Sequence, residues 1–346
     1  MASVPDAGTS APKVAIEFWL GTFPTAGRAA ALAEMVERDG WDGIAFTDSQ
    51  NLHGDTFAAL ALAAHATHRI KLATGATNPA TRHPAVIASA IATIQLESGG
   101  RAVLGIARGD SALAYLGRPP MPLAHFETAL QHIQTYLRGE AVDCDGFPSR
   151  IVWLKPPKVP MAVAATGPRV IALAARVAER ITFSVGADQE RLRDAIALAR
   201  ANQPQSQPLS LGAYINAVAH PDVDRARELV RGRLGVYARF SSMNQLVLRS
   251  LSRQDREVTE RLAAEYDMRG HAASGARHEV ALTDDFVDRF GIVGPSEHVA
   301  ERFSQLVELG LDHFVVVGHG RDVSAEVLAE SSRRFAHEVI PLVRPT

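Results

Sequence analysis

Eight times along this chain of 346 residues, a short apolar run is followed by a segment with helical periodicity. Residues 14–20 precede a helical pattern near 28–39, and 43–47 precede one near 55–66. Residues 71–76 lead through Asn78, Pro79, His83 and Pro84 into an Ala-rich helix, opened by Pro84 and closed by Gly99-Gly100. Residues 102–107 run straight into Arg108-Gly109-Asp110-Ser111. The runs at 161–165, 181–185, 209–219 and 313–317 precede helical patterns near 168–178, near 189–201, from 223 onward and near 323–339. Eight such units predict an α/β fold, a (β/α)8 TIM barrel. A doubly wound open sheet is the competing arrangement, and the count of eight favours the closed barrel.

Two stretches break the alternation. After strand 4, residues 139–160 place turn residues around Asp145-Gly146 beside an apolar IVWL, which predicts a short hairpin. After strand 7, residues 240–285 are rich first in Arg, Met and Gln, then in Gly and His. A long insertion there reads as a lid that shapes a substrate site, or as an oligomer contact. Tyr237, Phe240, Met243 and Met268 suit a partly apolar ligand or plain packing. The expected organisation is a disordered tail over 1–12 and one barrel domain over 13–346 that carries this lid-like insertion.

A hydrophobic content of 47% supports one large core, and a net charge of −2 gives no electrostatic case for nucleic acid or an anionic membrane. Cys144 is the single cysteine, so no intrachain disulfide framework exists. The start of the chain lacks the basic and apolar segments of a signal peptide, and no apolar run approaches the roughly 20 residues of a membrane span. Cytoplasmic location is the expectation, with a homodimer as the default assembly. The 13 histidines are scattered with no HExxH or cysteine cluster, so no metal site is expected. GxSxG is absent, and GIARGD lacks the spacing of a dinucleotide fingerprint.

In parallel α/β folds the loops after strand carboxyl ends carry the chemistry. Glu17 lies within an apolar first strand, where a carboxylate is either paired in a polar layer or used as an acid/base group. Asp48 follows strand 2 and is either a capping residue or a functional one. Gly109 permits close backbone approach, while Asp110 and Ser111 cap a helix, face a pocket, or do both. Ala164-Ala165-Thr166-Gly167-Pro168 joins strand 5 to a helix, and such a small-residue turn at a helix N-terminus is an anion site, to which Arg169 adds charge.

The stretches TNPATRHPAVIA and SGGRAVLGIARGDS resemble the bacterial-luciferase-like family of flavin and deazaflavin enzymes. IEFWLG, WDGIAFTDSQ, VAATGPRVIALAA and FGIVGPSEHVAERFSQLVELGLDHFVV extend the resemblance over most of the chain. Within the family the chain is most similar to methylenetetrahydromethanopterin reductases and related enzymes that use coenzyme F420.

The resemblance implies a barrel and an oxidoreductase acting on a small-molecule substrate. It assigns catalytic candidates to Glu17, Asp48 and Asp110. Some relatives follow the aspartate with His, but this chain has Ser49 there. It implies a cis peptide at Gly75–Ala76, with Thr77 and Asn78 beside it, backing the cofactor ring. Arg108, Gly109 and Ser111 are implied cofactor contacts, and Ala164, Ala165, Thr166, Gly167 and Arg169 the cofactor-phosphate loop. Coenzyme F420 is the expected cofactor. The alternative is FMN, in a monooxygenase served by a separate flavin reductase, and a third reading is a non-catalytic barrel in a complex. Substrate identity is not legible in the sequence.

Overall fold

The computed structural model describes residues 15–344 apart from Asn244. The expected tail at 1–12 lies outside them.

Strands β1 (Glu17–Thr22), β2 (Gly43–Phe46), β3 (Lys71–Thr74) and β4 (Ala102–Ile106) are joined by helices α1 (Ala29–Asp39), α2 (Thr56–Ala66) and α3 (Pro84–Glu97). After β4 come a short α4 (Ser111–Ala114), α5 (Leu123–Leu137) and an antiparallel hairpin of β5 (Val142–Cys144) and β6 (Phe147–Ser149). The hairpin turns through Asp145 and Gly146, at φ 52° and 86°. Then follow β7 (Met161–Ala165), α6 (Pro168–Val177), β8 (Arg180–Phe183), α7 (Gln189–Asn202), β9 (Ser210–Ile215), β10 (Ala217–Ala219) and α8 (Val223–Ser242). The insertion holds α9 (Gln245–Ser250), α10 (Arg253–Glu265) and α11 (Asp284–Phe290). The chain closes with β11 (Ile292–Gly294), α12 (Ser296–Glu308), β12 (His313–Val316), α13 (Ala325–Arg334), a π-turn over Phe335–Val339 and α14 (Ile340–Val343).

Eight parallel strands close in the order β1-β12-β9-β8-β7-β4-β3-β2, the arrangement of a TIM barrel. Alternate side chains face opposite ways. Phe18, Leu20, Ile44, Leu72, Leu104, Val163 and Phe314 join the core between sheet and helices. Trp19, Ala45, Ala73, Val103, Ala162 and Val315 form the barrel's interior cluster. The one large ring dictates small neighbours: a Cβ on Gly43 would lie 2.6 Å from the Trp19 indole. Close strand approach also requires Gly105, where a Cβ would meet the Thr74 carbonyl oxygen at 1.8 Å.

The seventh strand differs from the expected single run over 209–219. It breaks at Asn216, whose carbonyl accepts from Ile292 N at 2.8 Å and whose Nδ2 donates to the Val317 carbonyl at 3.0 Å. Beyond it, β10 leaves the barrel and pairs with β11, an element that the periodicity did not separate from the insertion. The insertion itself is helical and packed: Val258, Leu262, Phe286 and Val287 are buried in the interior cluster. No helix among the described residues is long and apolar enough to cross a membrane.

Candidate active site

The carboxyl ends of the strands open into a cleft with about 710 Å3 of atom-free space, its mouth included. Gly75, Ala76, Ala107 and Ala164 line it without a side chain longer than a methyl group. Asp48, Asn78, Gly109, Asp110 and Ser111 add polar edges, and α8 supplies Arg233, Val236, Tyr237 and Phe240. His271 and Ala272, from the loop after α10, complete the wall.

The loops after β2 and β3 are braced by one carboxylate. Asp48 Oδ2 accepts from Thr77 Oγ1 at 2.6 Å and from Arg82 Nε at 3.1 Å, and Oδ1 accepts from Arg82 Nη2 at 3.1 Å. Arg82 also reaches Asp55 Oδ2 at 2.7 Å, while Asp55 caps α2 through Phe57 N and Ala58 N. Both Asp48 oxygens are therefore occupied by fixed donors, and the side chain caps no helix. Thr77 is fully buried in this brace, whereas Asn78 reaches the cleft. The Gly75–Ala76 peptide is cis. Its underside is filled, since a Cβ on Gly75 would lie 2.9 Å from the Ala45 methyl.

Asp110 precedes α4 but makes no capping bond to it. Its Oδ2 pairs with Arg239 near the end of α8, and Ser111 Oγ donates to the same oxygen at 3.4 Å. Oδ1 has no hydrogen-bond donor among the described residues. Burial raises the Asp110 pKa above the ordinary carboxylate value, and the opposing Arg239 charge and hydrogen bonds do not cancel it. Arg239 lies over the Tyr266 ring, 4.6 Å from its centroid, and the Tyr115 hydroxyl donates to the Met268 carbonyl at 2.7 Å. The loop after β4 is thus tied to α8 through Asp110 and to the insertion through Tyr115.

A second polar patch adjoins the first helical turn of α6. Gly167 is the N-cap with no side-chain cap, and Pro168 occupies the first turn. Burial lowers the Arg108 pKa, and the nearby positive charge of Arg169 lowers it further. The two cations thus act on one another electrostatically. Arg108 Nε donates to the Met121 carbonyl at 2.7 Å, and Arg169 is exposed with no ion-pair partner among the described residues. Thr166 lines a neighbouring cleft with Asp188 and Arg191. Ala165 faces the outer core, so its side chain is turned from any ligand in the barrel mouth.

Glu17 requires a correction. It begins β1 at the amino end of the barrel, opposite the cleft. There its Oε1 pairs with Lys71, at the start of β3, and Oε2 accepts from Arg180 Nη2 at 2.6 Å and Trp19 Nε1 at 3.1 Å. Burial acts to raise its pKa, but the Arg180 charge and the Lys71 and Arg180 hydrogen bonds outweigh it and hold the carboxyl at about 2. Of the two expected roles, the structure supports the paired carboxylate in a polar layer, here at the barrel floor, and not the acid/base group at the cleft. Periodicity locates a strand, but not which of its ends a residue occupies relative to the site.

Several lining residues escaped the sequence reading: Phe23, Thr47, His53, Ser184, Tyr214, Arg233 and His271. A signal existed for Arg233, because positions 233, 236, 237 and 240 share one helix face and bring Arg, Val, Tyr and Phe to the cleft together.

A closed (β/α)8 barrel with its polar cleft at the strands' carboxyl ends defines an enzyme-type scaffold. Residues 4–313 match the family described as luciferase-like monooxygenases, and the chain belongs to that family. It is 29% identical over 328 residues to 5,10-methylenetetrahydromethanopterin reductase of Archaeoglobus fulgidus, covering 90% of this chain and 94% of that one. It is 30% identical over 335 residues to F420-dependent glucose-6-phosphate dehydrogenase of Beutenbergia cavernae, covering 91% and 92%. In structure it is similar to the coenzyme F420-dependent tetrahydromethanopterin reductase of Methanopyrus kandleri, with a TM-score of 0.77 and 22% identity over 95% of this chain and 100% of that one.

Proposed function

We propose that this chain is a coenzyme F420-dependent oxidoreductase that exchanges a hydride with a small organic substrate in the barrel cleft. Its relatives of known activity support this reading, and the cleft fits the cofactor chemically. A planar ring needs a flat, apolar bed, and Gly75, Ala76, Ala107 and Ala164 provide one with no side chain to obstruct it. A phosphate needs fixed positive potential, which Arg108, Arg169 and the N-terminus of α6 supply together. The cofactor, when bound, supplies the hydride chemistry.

The chain's own contribution is a proton, an orientation and a dry site. Asp110 carries the reading: it is a buried carboxyl of raised pKa on the cleft wall, with Oδ2 held by Arg239 and Oδ1 open. A carboxyl so placed takes up or releases a proton at Oδ1 at a pH above the ordinary carboxylate range. Asp48 is a positioning residue, fixing the loops after β2 and β3 through Thr77 and Arg82. Helix α8 and the His271 loop wall the cleft, which limits the access of water to a bound cofactor and substrate.

Titrating the purified chain separately with coenzyme F420 and with FMN tests this reading. F420 is expected to bind at least about tenfold more tightly, a difference of about 1.4 kcal/mol. The reverse order would transfer the proposal to a monooxygenase supplied with reduced FMN by a separate reductase.

A further inference from the structure

Arg233 is a cation without a counter-ion. Its side chain is 3% exposed and lines the cleft, and its Nη1 has no hydrogen-bond partner. Among the described residues no carboxylate lies within ion-pairing distance of it. Burial acts most strongly against its charge; the groups that favour the charge are the Tyr237 hydroxyl, which also hydrogen-bonds to the guanidinium, and the Tyr214 hydroxyl, both neutral and both on the cleft wall. Its guanidinium carbon stands 4.0 Å from the centroid of the Phe23 ring, which also packs on His53 at 4.3 Å between centroids. Among the described residues the other arginines near this region are paired with carboxylates or, for Arg321, exposed to solvent. Arg239 is paired with Asp110, Arg82 with Asp48 and Asp55, and Arg321 donates to the Arg269 carbonyl.

A buried, unpaired guanidinium is costly, and chains keep buried charges where a partner meets them. Nearby groups do not lower the local positive potential. His53 and His271 both stay neutral: burial first, then the neighbouring arginines, depresses each to about 3. The position is also built into the fold. Gly232, the preceding residue, lets α8 approach the loop after α10, where a Cβ would lie 2.9 Å from the Ala273 backbone. This cation sits among loops after β1 and β2 and on α8. The other anion-ready patch, at Arg108, Arg169 and α6, is formed by loops after β4 and β7.

We propose that Arg233 is the substrate-recognition residue of this cleft, and that the substrate carries a carboxylate or phosphate group that docks against its guanidinium. The proposal rests on the reading of the cleft as an oxidoreductase site and adds the chemical class of the molecule it acts on. A planar guanidinium binds either anion through paired N–H donors. Phe23 and Tyr237 beside it offer apolar surface to the remainder of that molecule. The anion completes the buried charge, so a neutral molecule of the same shape leaves Nη1 unpaired and binds less well.

The test uses isothermal titration of the full chain, with and without coenzyme F420, against benzoate, phenyl phosphate and the neutral benzyl alcohol. In the wild type at least one anion should bind tenfold or more tighter than benzyl alcohol. A lead for benzoate points to a carboxylic acid substrate, and a lead for phenyl phosphate to a phosphate ester. Arg233→Met should abolish the preference, with a loss on the order of 10²-fold in anion affinity, while Arg233→Lys should restore part of it. Arg169→Ala should leave the preference intact. Equal binding of anion and alcohol by the wild type would overturn the proposal, and that comparison stands even if Arg233→Met fails to fold. Anion preference surviving in Arg233→Met but lost in Arg169→Ala would also overturn it. Failure to bind F420 would remove the oxidoreductase reading, whereas the difference between wild type and Arg233→Met in the cofactor-free titrations still reports on Arg233, because both proteins share the Arg108 and Arg169 patch.

Discussion

Arg180 Nη2 donates to Glu17 Oε2 at 2.6 Å across the barrel interior, linking β8 to β1, two strands that are not neighbours in the sheet. The pair lies at the end of the barrel away from the cleft. Arg180 also lies over the Trp19 ring, 5.6 Å from its centroid, so the charged layer rests directly on the interior's largest side chain.

Glu17→Gln should therefore lower stability and leave turnover nearly unchanged. The folded-state pKa of about 2 lies below the ordinary value of 4.5, so the stabilisation is present above about pH 4.5 and is lost as pH falls towards 2. The shift corresponds to roughly 3 kcal/mol at pH 7, an order-of-magnitude figure. Melting of wild type and variant from pH 7 to pH 2 should show a gap that narrows in acid. A turnover loss of a hundredfold would return Glu17 to the chemistry.

Asp110→Asn should keep the fold and bind F420 within a few-fold of wild type, yet turn over roughly 10²–10⁴ times more slowly, the usual contribution of a general acid or base. In the wild type, kcat should titrate above the ordinary carboxylate range, because burial raises the Asp110 pKa, and the variant should lose that titration. Rates and pH profiles of the two proteins decide the point.

Arg169→Ala and Arg108→Met should each weaken F420 binding by about tenfold, since each removes one cation from the patch beside α6. Arg169 is exposed and has no ion-pair partner among the described residues, so its variant should melt at the wild-type temperature. Unchanged F420 affinity in both variants would place the phosphate elsewhere.

Gly109→Ala should destabilise the protein by about 1–3 kcal/mol, through a left-handed backbone and overpacking together. Gly109 has φ 82°, and its Cβ would lie 2.8 Å from Leu113 and 3.2 Å from Asn78. Thermal unfolding measures the cost, and a fall in cofactor affinity should accompany it because both neighbours shape the cleft edge.

The strand-and-helix alternation by itself determined the barrel, because apolar periodicity and turn residues act locally and eight repeats leave few ways to bury their faces. The hairpin at Asp145-Gly146 and the loops that carry Asp48, Gly75, Asn78 and Asp110 to the cleft were legible for the same reason. What the side chains do there was decided only in three dimensions. Whether a carboxylate is paired or open depends on partners remote in sequence. Glu17 meets Lys71 and Arg180, 54 and 163 residues away, Asp48 is closed by Arg82, and Asp110 keeps one oxygen free because Arg239 takes the other. Arg233 shows the same limit from the opposite side: its helix face was readable, but its lack of a counter-ion among the described residues is a property of the closed fold, where burial removes water and none of their carboxylates has been brought near.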